Sequence, residues 1–266
     1  MRKFDRWVTK HYTVVSRAMS LLWAGFAVAG MMIWQWHILL ALLAYFVGTI
    51  VTSVLLVRCG DRLRREAIAL ANQNCDPYPL LEEMRTQLHY SLPPMQMLMT
   101  EINYALALEH TGEYQQAYQR LNDINIQHPR ISPNVRLVYY SNRADLCFMM
   151  GKYEEVITCH EKAVQNLQNM KAGKSKETLR PIVESNDGMY HFCREEYDAA
   201  LQALEQAKPR HLYDGVSNAW TAARIFLALG ETENAREKLQ FVVENGNQMY
   251  HVTEAKNLLA EIKREE

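Results

Sequence analysis

Two places in the chain bring cysteine and histidine together: Cys159-His160, and His191 with Cys193 two residues on. Such pairs could hold a metal or generate a thiolate nucleophile. Adjacent residues on a helix point about 100° apart, so neither pair converges on an ion without further ligands. The five cysteines, Cys59, Cys75, Cys147, Cys159 and Cys193, are odd in number and form no CxxC. A reducing cytoplasm keeps such residues as free thiols. No P-loop, GxGxxG, HExxH or GxSxG occurs. The expectation is a protein that is not an enzyme and that uses neither metal nor cofactor.

A row of amides is more specific. Asn103, Asn142 and Asn186 each stand nine residues before a turn position, and Thr221 holds the same place in a fourth segment. An amide offers two donors and an acceptor, so a row of them can grip the backbone of an extended peptide whatever its sequence. Three residues further on come Leu106, Asp145, Met189 and Arg224, with Trp220 just before Thr221. The candidate peptide-binding residues are therefore Asn103, Asn142, Asp145, Asn186, Trp220, Thr221 and Arg224.

The elements that must position these residues begin with a membrane anchor. Ala18 to Val57 contains no Asp, Glu, Lys or Arg in 40 positions. A single span needs about 20 apolar residues, so the run has room for two. Met19 to Trp34 and Ile38 to Val57 are the expected spans, with Gln35-Trp36-His37 as the outer turn and indoles at the water-lipid boundary. The run is too long for a signal peptide. Basic residues flank both ends of the hairpin and none lies in its turn, which places both termini in the cytoplasm of an inner or plasma membrane. Ionisable groups are missing at mid-membrane depth, so the hairpin reads as an anchor rather than a transport path. Gly25 with Ala29, and Ala44 with Gly48, are spaced for close helix approach.

Charge is sorted along the chain. Up to Arg65 there are nine basic and two acidic residues; the remaining 201 carry 20 basic and 28 acidic, a balance of −8. A nucleic-acid-binding domain usually has the opposite sign. The stretch RCGDRLRR, Arg58 to Arg65, serves as a topology determinant and could rest on anionic headgroups. Asp76-Pro77 predicts the start of a helix running to about Leu88, and Ser91-Leu92-Pro93-Pro94 its end.

Beyond that point the sequence repeats. HTGEYQQAYQRL around Gly112, MMGKYEEVITCH around Gly151 and ALGETENAREKL around Gly230 share one register, and CREEYDAALQAL joins them with Glu195 in place of glycine. Five residues after each turn stand Ala117, Val156, Ala200 and Ala235; seven before it stand Ala105, Ala144, Gly188 and Ala223. Small residues at matched sites let paired helices cross closely, while larger neighbours fill the seam.

This pattern resembles the tetratricopeptide repeat superfamily over roughly 98–266. The resemblance implies an α-solenoid of about four helix pairs, with the amphipathic segment Tyr250 to Glu266 as a capping helix. It further implies that the amide row faces a concave groove. Departures are evident: the early aromatic is Glu101, Tyr140, Glu184 and Ala219 here, only the first unit ends in the expected proline, Pro129, and the turns lie 39, 44 and 35 residues apart. The basic stretch Lys171 to Arg180 marks one insertion. The clamp by which some members hold chaperone C-termini would need basic and amide groups at Ile102, Leu106, Asn142, Ile182 and Asn186; one match in five argues against that ligand.

The expected architecture is all-α: a basic cytoplasmic N-terminus (1–17), a two-span transmembrane hairpin (18–57), a juxtamembrane helical linker (58–97) and a repeat solenoid with its capping helix (98–266). The expected function is that of a bacterial, membrane-anchored, non-catalytic adaptor. Its partners are the lipid bilayer, through 18–57, and a protein or extended peptide, with no nucleic acid. A peptide-responsive sensor and an accessory subunit of a larger membrane complex are the alternatives, and an enzyme built on Cys159, His160, His191 or Cys193 the remote one.

Overall fold

The computed structural model describes residues 2–265, which are mostly helical and contain no strand. In chain order the helices are α1 (Arg2–Lys10), α2 (Tyr12–Ile33), α3 (Ile38–Asn74), α4 (Tyr78–Leu88), α5 (Pro94–His110), α6 (Tyr114–Asn122) and α7 (Pro133–Met149). They continue as α8 (Tyr153–Gln168), α9 (Lys174–Glu184), α10 (Asp187–Cys193), α11 (Tyr197–Gln206), α12 (Leu212–Ala228), α13 (Thr232–Asn245) and α14 (Tyr250–Glu265). Two compact units emerge, one of residues 1–67 and 82–100, the other of 68–81 and 101–266.

In the first unit, α2 and α3 are each long and apolar enough to cross a membrane. Their apolar side chains point outward: Leu21, Met32, Ile33, Leu39, Leu43 and Ile50 are all more than half exposed, an arrangement that water penalises and hydrocarbon does not. The two helices meet through tryptophan on glycine. Gly48 leaves room for the Trp23 ring and Gly30 for the Trp36 ring, whereas Gly25 faces open space. Of the glycines in the two spaced pairs, Gly48 thus receives a ring from the partner helix and Gly25 does not. Trp23 Nε1 donates to Thr52 Oγ1 at 3.0 Å, and Phe26, Trp34 and Trp36 cluster beside the turn that joins α2 to α3. Gln35 completes that turn with a φ of 53°.

Neither helix ends where the apolar run does. α2 starts at Tyr12 and α3 continues through Arg58–Arg65 to Asn74, because Arg, Leu and Ala are strong helix formers and only Gly60 interrupts them. Asp61 pairs with Arg64 one turn on. Pro94 does not follow a long loop but opens α5. Gln96, on its first turn, donates to the Val57 carbonyl at 2.7 Å.

The second unit is built on four copies of one turn. Gly112, Gly151, Glu195 and Gly230 all have left-handed backbone, with φ of 86°, 71°, 61° and 74°. Each is followed by a residue whose N–H reaches back five positions: Glu113 to Leu108, Lys152 to Cys147, Glu196 to His191 and Glu231 to Phe226, at 2.8 to 3.0 Å. Each turn residue also donates three positions back, to Glu109, Phe148, Phe192 and Leu227. This is the Schellman arrangement, which satisfies the last carbonyls of one helix before the next begins. Across it the helices pair as α7 with α8, α10 with α11 and α12 with α13. Ala117, Val156, Ala200 and Ala235 are buried, as are Ala105, Ala144 and Ala223. Within the third pair, Gly188 makes room for the Leu204 side chain.

Polar networks link one pair to the next. Tyr118 of α6 donates to Glu155 of α8 at 2.8 Å, and Arg143 of α7 bridges the same carboxylate at 2.9 Å. The longest interval between turns is taken up by an extra element. α9 carries the inserted basic stretch and breaks at Ser185-Asn186 before α10 begins. The sequence Ser-Asn-Asp-Gly favours such a break, since its short polar side chains compete for local backbone: Ser185 Oγ donates to the Ile182 carbonyl. The insertion expected at Lys171 to Arg180 thus takes the form of a separate helix ahead of α10.

Residues 68–81 belong to this unit. The Asn74 carbonyl accepts from Asn247 Nδ2 at 2.8 Å and the Cys75 carbonyl from Gln248 N at 3.1 Å, so the end of α3 is capped by the loop before α14.

Candidate functional site

The seven residues expected to line a groove occupy varied surroundings. Asn103 is buried. Asn186 sits at the α9–α10 break, where its amide nitrogen donates to the Ser141 carbonyl of α7 at 3.1 Å. Thr221 is buried and bonded to the Ser217 carbonyl one turn back. Asn142 is half-buried, and among the described residues its amide nitrogen finds no hydrogen-bond partner. The row of amides thus lies largely between helices, and Asn186 has spent a donor there.

Arg224 reaches furthest. It donates to the Tyr153 hydroxyl at 2.6 Å and the Phe148 carbonyl at 3.4 Å. Its guanidinium also lies over the Phe148, Phe192 and Tyr153 rings, 4.5 to 5.8 Å from their centroids. One cation of α12 is therefore held by three aromatic rings from the second and third pairs, a contact that is stronger away from water. Trp220 is buried against the His251 ring at 5.8 Å. Together with Met149, Glu254, Asn257 and Leu258, Trp220 and Arg224 line a depression of about 300 Å³. A larger cleft, about 830 Å³, opens between α9, α10, α11 and α12, with Asp187, His191, Gln202, Lys208, Arg210 and Asn218 in its wall. It contains none of the seven predicted residues.

Asp145 belongs to a cluster that sequence reasoning missed. Glu109 of α5, Asp145 of α7, Tyr213 and Asp214 of α12 and Glu254 of α14 lie near enough for their charges to act on one another. Burial, then the neighbouring carboxylates, raise Glu109 well above the usual carboxylate range. Asp145 is pushed up to about 7 by burial and by Asp214. Two histidines move the opposite way: burial and His251 lower His110 to about 3, and burial lowers His251 to about 4. The interior is thus kept neutral on both sides.

His110 Nε2 lies 3.2 Å from Glu109 Oε2, but the alignment makes no hydrogen bond. Among the described residues, Glu109 Oε2, both ring nitrogens of His110, Tyr114 Oη, Trp220 Nε1, His251 Nδ1 and Glu254 Oε2 are buried without a hydrogen-bond partner. The His110 and Tyr213 rings lie 4.6 Å apart. A signal for this cluster does exist in the repeat: the position of Glu109 is Phe148, Phe192 and Leu227 in the other three units. A carboxylate where three repeats put a large apolar residue marks an interior that differs.

The cysteine–histidine pairs behave as structure. Burial pushes Cys147 and Cys193 up to about 12 and raises Cys159, the reverse of what a thiolate nucleophile requires. His160 turns to Asp187 at 3.1 Å and His191 to Glu196 at 2.7 Å. Among the described residues no group of three His, Cys, Asp or Glu side chains is placed to hold a metal ion. Compared with known protein families, curated proteins and solved structures, the chain matches none of them.

Proposed function

We propose that this chain is a membrane-anchored, non-catalytic adaptor of tetratricopeptide type: a hairpin of α2 and α3 in an inner or plasma membrane with both termini in the cytoplasm, and a solenoid of four helix pairs that binds a protein or extended peptide. The observation that carries the solenoid reading is the fourfold Schellman turn at Gly112, Gly151, Glu195 and Gly230, each flanked by buried small residues at matched offsets. Tethering such a module raises the local concentration of whatever it binds at the bilayer.

The binding site on this reading is the depression lined by Met149, Trp220, Arg224 and Glu254, the part of the predicted face that the chain does not fill. Trp220 supplies a buried indole N–H without a partner, and Glu254 a carboxylate that faces the Tyr114 hydroxyl and Arg224. A peptide backbone offers one acceptor and one donor for these two groups. A photo-crosslinking residue placed at Asn257 in living cells tests this. Crosslinks to one discrete protein, lost in Trp220→Ala, are the expected result. No crosslink from Asn257, with strong crosslinks from a probe at Gln202 in the larger cleft, would move the site elsewhere.

A ligand-responsive sensor is the second reading, and one observation favours it. Buried polar groups left without partners between α5, α12 and α14 each cost on the order of 1–3 kcal/mol. Such a contact is a low-energy place for the stack to open when a ligand enters. Small-angle scattering of the purified chain before and after adding the crosslinked partner distinguishes the two: a change in dimensions belongs to a sensor, constancy to an adaptor.

A further inference from the structure

The first helix has its polarity arranged in an unusual way. Asp5, Val8 and Thr9 are buried, while Lys3, Phe4, Trp7 and Lys10 are exposed. The buried positions follow the i, i+3, i+4 spacing of one helix face. The only acidic group of α1 is therefore the one turned inward. Arg62 of α3 holds it there, Nη1 to Oδ2 at 3.1 Å, and Thr9 Oγ1 donates to the Asp5 carbonyl at 2.8 Å. Arg6 makes a second clamp, 2.6 Å to Glu83 of α4. These contacts fix how α1 is rolled. What remains outward is aromatic and cationic: Phe4 and Trp7, 64% and 55% exposed, between Lys3 and Lys10.

The depth of this helix can be estimated from α3. Arg62 lies five residues beyond Val57, the last residue of the apolar run, which at 1.5 Å per residue is about 7 Å. The headgroup layer on each side of a hydrocarbon core is of similar thickness, about 5–8 Å. The Asp5–Arg62 contact therefore falls within that layer. Val14, at the start of α2, is also exposed, so the outward face of α1 is continuous with the apolar surface of the hairpin. Acidic groups around it are neutralised within the unit, Asp61 by Arg64, Glu82 by Arg85 and Glu83 by Arg6, while Arg17 and Arg58 are exposed beside them.

We infer that α1 is a lipid-surface helix: it lies in the headgroup layer where the hairpin leaves the membrane, with Phe4 and Trp7 at the acyl boundary and Lys3 and Lys10 against the phosphates of anionic lipids. The inference rests on the membrane-anchored reading. Aromatic side chains flanked by lysine suit such a boundary, where rings are half wet and ammonium groups meet negative charge. A depression of about 610 Å³ lined by Lys10, His11, Arg85 and His89 opens at the end of α1, but Phe4 and Trp7 lie outside it; a lipid surface needs only a face of this composition. The role is distinct from that of α2 and α3, which need no particular lipid charge to span.

The chain has five tryptophans, Trp7, Trp23, Trp34, Trp36 and Trp220, which makes a built-in comparison possible. The full chain, labelled with 5-fluorotryptophan, is placed in nanodiscs containing phosphatidylglycerol with and without a lipid carrying a nitroxide near the top of its acyl chain. Trp7→Phe assigns the Trp7 fluorine resonance. The expected result is that Trp7 broadens together with Trp34 and Trp36, while Trp220 does not. If Trp34 and Trp36 broaden and Trp7 keeps its linewidth, the inference is overturned and the anchor stands. If none of the four hairpin-side residues broadens, the anchored reading fails and takes this one with it. Lys3→Gln with Lys10→Gln should shift the ratio of lipid-seated to lifted α1 about fivefold per charge removed, seen as reduced broadening of Trp7 with Trp34 unchanged. Equal Trp7 broadening in that variant removes the role given to anionic headgroups.

Discussion

The ring of Tyr250, the first residue of the last helix, lies in the space left by the missing side chain of Gly112 in the first turn. It also meets Tyr114 edge-on, 5.5 Å between centroids. The C-terminal helix was expected to cap the open end of the stack; its first residue packs on the first turn. Gly112 therefore serves two purposes, a left-handed backbone and a seat for an aromatic ring. Gly151 and Gly230 serve only the first, having open space where a side chain would go.

Gly112→Ala should accordingly cost more than Gly151→Ala. Each pays for the left-handed backbone, about 1 kcal/mol, but only the first also forces a methyl into Tyr250, worth roughly another 1–3 kcal/mol. In thermal unfolding the first variant should melt several degrees below the second, at about 2–4 °C per kcal/mol for a protein of this size. Equal melting temperatures would mean that Tyr250 does not sit on the turn in solution.

Glu195 occupies the same left-handed conformation without being glycine. Glu195→Gly should stabilise the unit by roughly 0.5–1 kcal/mol, the steric relief being partly offset by the greater freedom of glycine in the unfolded chain. Chemical denaturation of the two proteins side by side provides the check, with an unchanged or lower midpoint counting against the shared turn geometry.

The buried acids give the unit a characteristic response to pH. Glu109 and Asp145 have native values above their unfolded ones, so the stability they allow is full below about pH 4 and is lost as pH rises, for Asp145 up to about 7. His110 and His251 have native values of about 3 and 4, below the unfolded value near 6.5, so their contribution grows as pH rises to that point and then levels. The two effects oppose each other between about pH 4 and 6.5, and only the carboxyls act above it. Glu109→Gln should therefore flatten the decline in melting temperature as pH rises above the ordinary carboxylate range and raise stability on the alkaline side. A curve parallel to that of the parent chain would show that Glu109 is not buried as a neutral acid.

Arg62→Ala leaves the buried Asp5 carboxylate without its cation. Arg62 itself is 44% exposed, so the cost is moderated by water, and about 1–2 kcal/mol is expected. Because α1 is held at few points, the effect should be local: faster amide exchange over residues 3–10, with the cores of α7 and α12 unchanged. Uniform protection across both variants would show that the pair does not dock α1.

Much of the helical layout could be read from residue types. The uncharged run located α2 and α3, Asp76 supplied a real cap to α4, with Tyr78 N on its carboxylate at 3.1 Å, and the turns at 112, 151, 195 and 230 gave the register of the second unit. What escaped was non-local. Nothing near Lys3 or Trp7 indicates that Asp5 has a partner 57 positions away. The asparagine spacing is genuine, yet whether Asn186 faces a groove or a neighbouring helix depends on Ser141, 45 residues distant. The continuity of α3 past Val57 was hidden because loss of hydrophobicity marks the edge of a membrane, not the end of a helix. Glu109 stood out only once its three apolar counterparts were aligned with it.

The bond from Asn247 to the Asn74 carbonyl closes a loop of 173 residues. During synthesis the residues of α3 emerge early, whereas those that finish its end follow 173 positions later. Until then Asn74 and Cys75 present bare carbonyls to water, and a chain stopped short of residue 247 never completes this joint. Truncation from the C-terminus should thus yield a protein that is readily degraded, with damage felt first at the end of α3 rather than at the shortened end.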